Sequence, residues 1–135
     1  MSEVNKSIVR RWIEEIWLRG DYGLAANLLH PDLVDHMPAP GQAPGREGHL
    51  AKARAACAAF PDLQVSIDSL IAEADTVVDM WTFRASHTGA PFLGIPPSGR
   101  RVEFQGIDIV RICSGLITDI WHVEDFARAI EQLRG

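Results

Sequence analysis

Asp108, inside GIDIV, and His122, inside IWHVED, are ionisable residues set in apolar, strand-like runs. Imidazole titrates near neutrality, so it both gives and takes protons at physiological pH. A carboxylate beside it sets its tautomer and raises its basicity. Aspartate is a poor strand former, and a buried carboxylate is costly unless paired. Asp108 therefore calls for a partner. His122 is the natural one, with Arg84 and Arg111 as structural alternatives. On neighbouring strands the two would form an acid/base couple, and they are the expected catalytic residues.

Their relative facing depends on the turn at Ser114-Gly115. A three-residue turn centred on Gly115 sets Asp108 directly opposite His122. A strict two-residue turn sets Asp108 opposite Trp121 and points His122 to the other face. Both remain open on spacing alone.

The expected substrate-binding residues are Asp35, His36, Trp17, Trp81 and Phe92. Asp35 and His36 follow HPDLV, and strand alternation lets only one of them face inward. Trp17 and Trp81 are large enough to line a pocket for a flat ligand. Trp121 faces away from His122, toward a helix or a second subunit. Phe92, Leu93 and Ile95 lie in GAPFLGIPPSG and read as a flap or a dimer contact. That loop lacks GK[ST] and leads into no helix, so it is no phosphate loop. GxSxG, HExxH and GxGxxG are absent. His87, at HTG, reads as a turn-stabilising residue, His30 as a helix-end residue and His49 as part of a solvated helix face.

The elements that must position these residues follow from periodicity. Ser2–Leu18 reads as a helix with Val4, Ile8, Trp12 and Ile16 on one face, stopped by Gly20. Asp21 caps a short helix from Tyr22 to Leu29, which His30-Pro31 breaks. Leu33–Met37 reads as a short strand, followed by the loop PAPGQAPG. A third helix runs from Arg46 to Ala59, with Leu50, Ala53 and Cys57 on one side. Leu63–Ala72 and Thr76–His87 form a hairpin, Arg101–Cys113 and Leu116–Val123 another. Asp125 caps a closing helix on Phe126, Ile130 and Leu133. Strands segregated from helices argue for α+β, with helices laid on one face of a curved antiparallel sheet.

The chain has 135 residues, enough for one domain with its own core. Its net charge of −5 offers no footprint for nucleic acid or an anionic membrane. Cys57 and Cys113 lack metal-ligand spacing and suit a reducing cytoplasm, where the chain is expected to reside. No apolar run reaches the ~20 residues of a membrane span, and MSEVNKSIVRRW has no signal-peptide core.

At this point the chain resembles a known family. The residues that carry the resemblance are IVRRWIEEIWLRGD, LLHPDLVDH, AAFPDL, HTGAPFLGIPPSGRRVEFQGIDIVRI and GLITDIWHVED. Together they are similar to the SnoaL-like polyketide cyclase group of the nuclear transport factor 2-like superfamily. The resemblance spans nearly the whole chain, residues 1–135, as a single domain. It implies a cone-shaped α+β fold with an apolar pocket between sheet and helices, and a homodimer through the outer sheet face. It also implies ring closure by intramolecular aldol condensation on a small apolar substrate, without metal or cofactor. Epoxide hydrolases, dehydratases and isomerases are among the relatives. The family's aspartate acid/base falls at His122 and its histidine at Asp108, the same two residue types in exchanged positions. Its first-helix tyrosine falls at Ile16 or Trp17. The resemblance favours the turn that sets Asp108 opposite His122. The expected function is proton transfer next to a carbonyl by His122, oriented by Asp108. The alternatives are an epoxide hydrolase or dehydratase using an activated water, and a non-catalytic binder of small apolar ligands.

Overall fold

Amphipathic periodicity starts the chain as a helix, α1 (Ser2–Arg11), in the computed structural model, which describes residues 2–135. The buried stripe is Val9, Trp12, Ile13 and Ile16, while Val4 of the expected stripe is 60% exposed. From Trp12 to Leu18 the same helix changes to a π register. A 3₁₀ turn at Tyr22–Leu24 and the one-turn α2 (Ala25–Leu28) replace the expected capped helix, and Asp21 makes no side-chain cap.

The first strand, β1 (Leu29–Asp35), starts earlier than expected and runs through His30-Pro31. Proline is tolerated there because β1 lies at the sheet edge. The long helix α3 (Gly45–Ala59) follows. Four strands come next: β2 (Gln64–Glu73), β3 (Thr76–Ser86), β4 (Arg101–Cys113) and β5 (Leu116–Glu124). Helix α4 (Phe126–Arg134) closes the chain, and the Asp125 side chain caps it by accepting from the Arg128 N–H at 3.2 Å.

The sheet has five strands in the order β1-β5-β4-β3-β2. It is α+β as expected, but β1 pairs parallel with β5, so the sheet is mixed rather than wholly antiparallel. Alternation is clean on β4, where Val102, Phe104, Gly106, Asp108, Val110 and Ile112 all point to the covered face. The helices close that face. One apolar cluster joins Trp12, Ile16, Leu50 and Ala53 to Val77, Val110 and Ile120. A second joins Phe60, Phe83 and Phe104 to Ala129 and Leu133. No helix is long and apolar enough to cross a membrane among the described residues.

The β4–β5 turn is the two-residue type, with Ser114 and Gly115 at φ 52° and 80°. These positive values are those of a primed hairpin turn, which glycine adopts without strain. Taken alone, this turn would set Trp121 opposite Asp108. A bulge intervenes: Ile112 pairs with Ile117, but Arg111 pairs with Asp119. The extra residue restores the other register, and Asp108 lies opposite His122. A similar bulge between Ile67 and Ser69 explains the lapsed alternation of β2.

Candidate active site

Four neighbouring strands each send one ionisable side chain to the covered face: Asp35 from β1, His122 from β5, Asp108 from β4 and Asp79 from β3. They form a polar band between the two apolar clusters. Glu124, two residues beyond His122, shares its face, and Lys52 reaches down from α3.

His122 lies between two carboxylates. Its Nδ1 is 2.5 Å from Glu124 Oε1, and its Nε2 is 3.0 Å from Asp35 Oδ1. Lys52 Nζ donates to Asp35 Oδ2 at 2.8 Å and approaches His122 Nε2 at 3.2 Å. Gln42 Nε2 and the Met37 N–H also donate to Asp35, at 3.0 and 2.9 Å. Burial alone would lower the His122 pKa, but the Glu124 hydrogen bond and the charges of Glu124 and Asp35 outweigh burial and Lys52, so it is raised. Burial would raise Asp35, but its donors Lys52, Gln42 and Met37 overcome burial and hold it well below the carboxylate range. The side chains of His122 and Glu124 are 11% and 16% exposed, so the band is reached from solvent at this end.

Asp108 is the expected partner of His122, and it shares the face and the rung. The direct hydrogen-bond partners of His122 are nevertheless Glu124 and Asp35. Asp108 Oδ2 instead accepts from Trp81 Nε1 at 3.0 Å. Gly106 makes that bond possible: a Cβ there would fall 2.1 Å from Trp81 Cζ2, so the indole lies across the glycine. Beyond Asp108 is Asp79, fully buried on the same rung of the neighbouring strand β3. Burial and then the neighbouring Asp108 charge push Asp79 strongly upward, and burial raises Asp108 too. Both Asp79 carboxyl oxygens are buried without a hydrogen-bond partner, so the rung favours a protonated Asp79 over a second charge beside Asp108.

Of the expected substrate-binding residues, Asp35 faces the band and His36 faces away. The His36 ring stacks on Trp121 with centroids 4.2 Å apart and pairs with Asp119 at 2.9 Å, on the outer face. Alternation along β1 decides this. Trp81 borders the band through its indole N–H, and Trp17 Nε1 donates to His49. Phe92 packs against Phe60 and Phe126 in the second apolar cluster. His87 Nε2 bonds the Ala90 carbonyl at 2.8 Å, the turn-stabilising contact expected of it.

His49 does not lie on a solvated helix face: it is 2% exposed. Its Nε2 accepts from Trp12 Nε1 at 2.9 Å and Trp17 Nε1 at 3.2 Å. The available signal was the stripe His49, Ala53, Ala56 at i, i+4 and i+7. Lys52, Asp79 and Glu124 also escaped the sequence reading. For Asp79 the sign was the same as for Asp108: an aspartate in an apolar strand, VVDMW.

Two clefts of the described residues stand out, and both are open to solvent. One, of about 440 Å³, is lined by Asp35, Gln42, Pro31, Pro38 and Pro44. The other, of about 500 Å³, lies between α1 and β2 around Arg10 and Asp68. Neither is the enclosed apolar pocket expected between sheet and helices; buried side chains of the two clusters occupy that space. No metal-ligand set of three histidine, cysteine or carboxylate side chains converges among the described residues.

Residues 7–133 match the family described as SnoaL-like polyketide cyclase. The fold is similar to TsrD from Streptomyces laurentii, with TM-score 0.89, 30% identity, and 98% and 96% of the two chains covered. It is similar to IdmH from Streptomyces antibioticus, at TM-score 0.80 and 29% identity, covering 96% and 99%. A SnoaL-like polyketide cyclase from Agrobacterium tumefaciens aligns at TM-score 0.78, covering 97% and 98%, and its 20% identity speaks to the fold alone. A search of curated proteins finds no match.

Proposed function

The chain belongs to the SnoaL-like polyketide cyclase family and has its nuclear transport factor 2-like fold, and on that premise we propose that it catalyses proton transfer on a small apolar molecule bearing a carbonyl. The observation that carries the reading is His122 between Glu124 and Asp35, opposite Asp108. Glu124 orients the ring through Nδ1 and supports the imidazolium. Nε2, beside Asp35 and Lys52, exchanges the proton. In an aldol closure, a proton leaves the carbon next to one carbonyl, the resulting enolate carbon bonds to a second carbonyl carbon, and that oxygen takes the proton up. His122 serves both transfers, and Asp108 gives charge support from the neighbouring strand. The reading extends to a homodimer through the outer face, supported by Ile107, Ile109, Val34 and Val123, which lie exposed there.

A second reading rests on the polarity of the band. Asp35, Lys52, Asp79, Asp108, His122 and Glu124 offer more donors and acceptors than an enolate needs, and they suit a held water. Water is then the nucleophile, as in an epoxide hydrolase, or relays the proton while the substrate's hydroxyl leaves as water, as in a dehydratase.

One experiment separates the two. Apolar cyclic ketones, polyketide-like ketones and epoxides are incubated with the protein in deuterated or oxygen-labelled water. The first reading expects deuterium at the carbon next to the carbonyl, with the rate falling ~10²–10⁴-fold in His122→Ala. The second expects labelled oxygen in a diol. Exchange that survives His122→Ala removes the mechanism.

A further inference from the structure

The proton-transfer reading leaves Lys52 without a chemical role of its own. It comes from α3, while Asp35, His122 and Glu124 come from the sheet. Its Nζ is 2.8 Å from Asp35 Oδ2 and 3.2 Å from His122 Nε2. An ammonium has three N–H donors and no acceptor. Two are engaged here, and the third has no partner among the described residues. Lys52 is also the most open member of this group. Its side chain is 23% exposed, against 6% for Asp35, 11% for His122 and 16% for Glu124. Its partner Asp35 lies on the wall of the open cleft of about 440 Å³, where Pro31, Pro38 and Pro44 supply apolar sides. That volume falls within the ~300–1,000 Å³ of small-molecule sites. A ligand therefore has room beside the Asp35–Lys52 pair.

The two close contacts of His122 Nε2 belong to different protonation states. Lys52 only donates, so its contact requires an unprotonated Nε2. The single proton of the neutral ring is then on Nδ1, facing Glu124. The Asp35 carboxylate only accepts, so its 3.0 Å contact requires an N–H at Nε2. When His122 takes up a proton, Nε2 turns from acceptor to donor. It then bonds Asp35, and the Lys52 N–H that had pointed at it is released. Release and proton uptake coincide, because one nitrogen cannot do both.

We propose that Lys52 is a catalytic residue whose released N–H donates to the ketone oxygen as His122 removes the proton from the neighbouring carbon. The C–H bond breaks and its proton goes to Nε2. Its electron pair forms the new carbon–carbon double bond, and the carbonyl π pair moves onto oxygen. Lys52 keeps its own proton and gives only a hydrogen bond. In a ketone the reacting carbon and the oxygen are about 2.4 Å apart, which suits a base and a donor 3.2 Å apart. The donor meets a charge that exists only once the proton has left, so it favours the enolate over the ketone. The ligand class is a neutral ketone whose enolate is the form held most tightly. The assignment rests on the proton-transfer reading, with His122 as the base.

The test is an absorbance titration of β-naphthol bound to the full chain, since its anion has the shape of the β-tetralone enolate. The wild type is expected to hold the anion at least about tenfold more tightly than the neutral form, read as a lowered pKa of the bound probe. Lys52→Met is expected to lose that preference. Lys52→Gln keeps a neutral donor for Asp35, and it is expected to bind the neutral form and lose the preference too. His122→Ala is expected to keep it. The proposal is overturned by a preference that survives both Lys52 variants or is lost in His122→Ala. It is equally overturned if the wild type shows no preference, or no binding up to the solubility of the probe. Deuterium exchange into β-tetralone tests the base separately. Lys52→Gln is expected to slow it ~10²–10³-fold, in kcat rather than KM, and an unchanged rate overturns the proposal. Exchange by a wild type without anion preference keeps His122 and removes Lys52. Anion preference without exchange keeps Lys52 as the partner of the oxygen and removes His122 as the base.

Discussion

Successive rungs of β3 and β4 on the covered face follow opposite principles. Phe83 faces Phe104, Trp81 faces Gly106, Asp79 faces Asp108, and Val77 faces Val110. The phenylalanine rung has ring centroids 5.0 Å apart and packs onto Phe60 and Phe126. Its contribution is burial, which needs no partner of a particular charge. The aspartate rung is as deeply buried, yet it contains little apolar surface to remove from water, and the two oxygens of Asp79 have no hydrogen-bond partner. The backbone is the same in both. The apolar rungs stabilise the fold, and the polar rung carries a stability cost.

Breaking the apolar rung has the largest effect. Phe104→Ala leaves a cavity in the second cluster and costs ~3–5 kcal/mol, read as a lower urea midpoint. The polar rung is expected to respond with the opposite sign. Asp79→Val with Asp108→Val removes two buried carboxyls and extends the apolar ladder, and it stabilises by ~1–4 kcal/mol. Turnover is lost in the same variant. The effect grows with pH. Both carboxyls bind their proton more tightly in the folded chain than in the unfolded one. Their contribution to stability is therefore complete below 3.8 and drains away as pH rises above it. Urea midpoints of the two proteins diverge as pH rises, and parallel curves would show that the carboxyls are not strained.

The smallest effect sharpens the assignment at the mouth of the band. Glu124→Gln removes the carboxylate on Nδ1, so the His122 pKa falls. Any stability that His122 gains from being charged when folded is present below 6.5 and lost as pH rises through its raised value. In Glu124→Gln that loss occurs at lower pH. The measurement is a ring-proton NMR titration, and an unmoved pKa removes Glu124 as the orienting group.

The strands of the ladder were legible from sequence. Two hairpins read from their turns set β2 to β5, and the unusual aspartate and histidine marked the band, whereas facing along Thr76–His87 was not legible because both of its alternating sets are mixed. The partners of His122 were not legible, because Asp35 and Lys52 reach it only through β1 and α3, distant in sequence and joined by tertiary packing. The expected stripe of α1 was displaced because Val4 begins the helix in solvent while Ile13 faces the sheet. His49 was misread because a histidine beside Gly48 and Lys52 looks solvated unless the tryptophans that bond it are known. Those tryptophans align only in a π register, which side-chain periodicity does not announce.

The bulge near Thr118 carries a genetic consequence. Whether His122 or Trp121 faces Asp108 is decided by a count of residues, since the turn and the bulge together fix the parity of β5. Deleting one codon for the bulge would leave every residue of the acid/base cluster encoded and still turn the far half of the strand over. The cluster is thus more exposed to loss by a single-codon deletion than a list of its side chains would suggest, and members of the family that differ here in length, rather than in residue type, are the ones in which its chemistry would part ways.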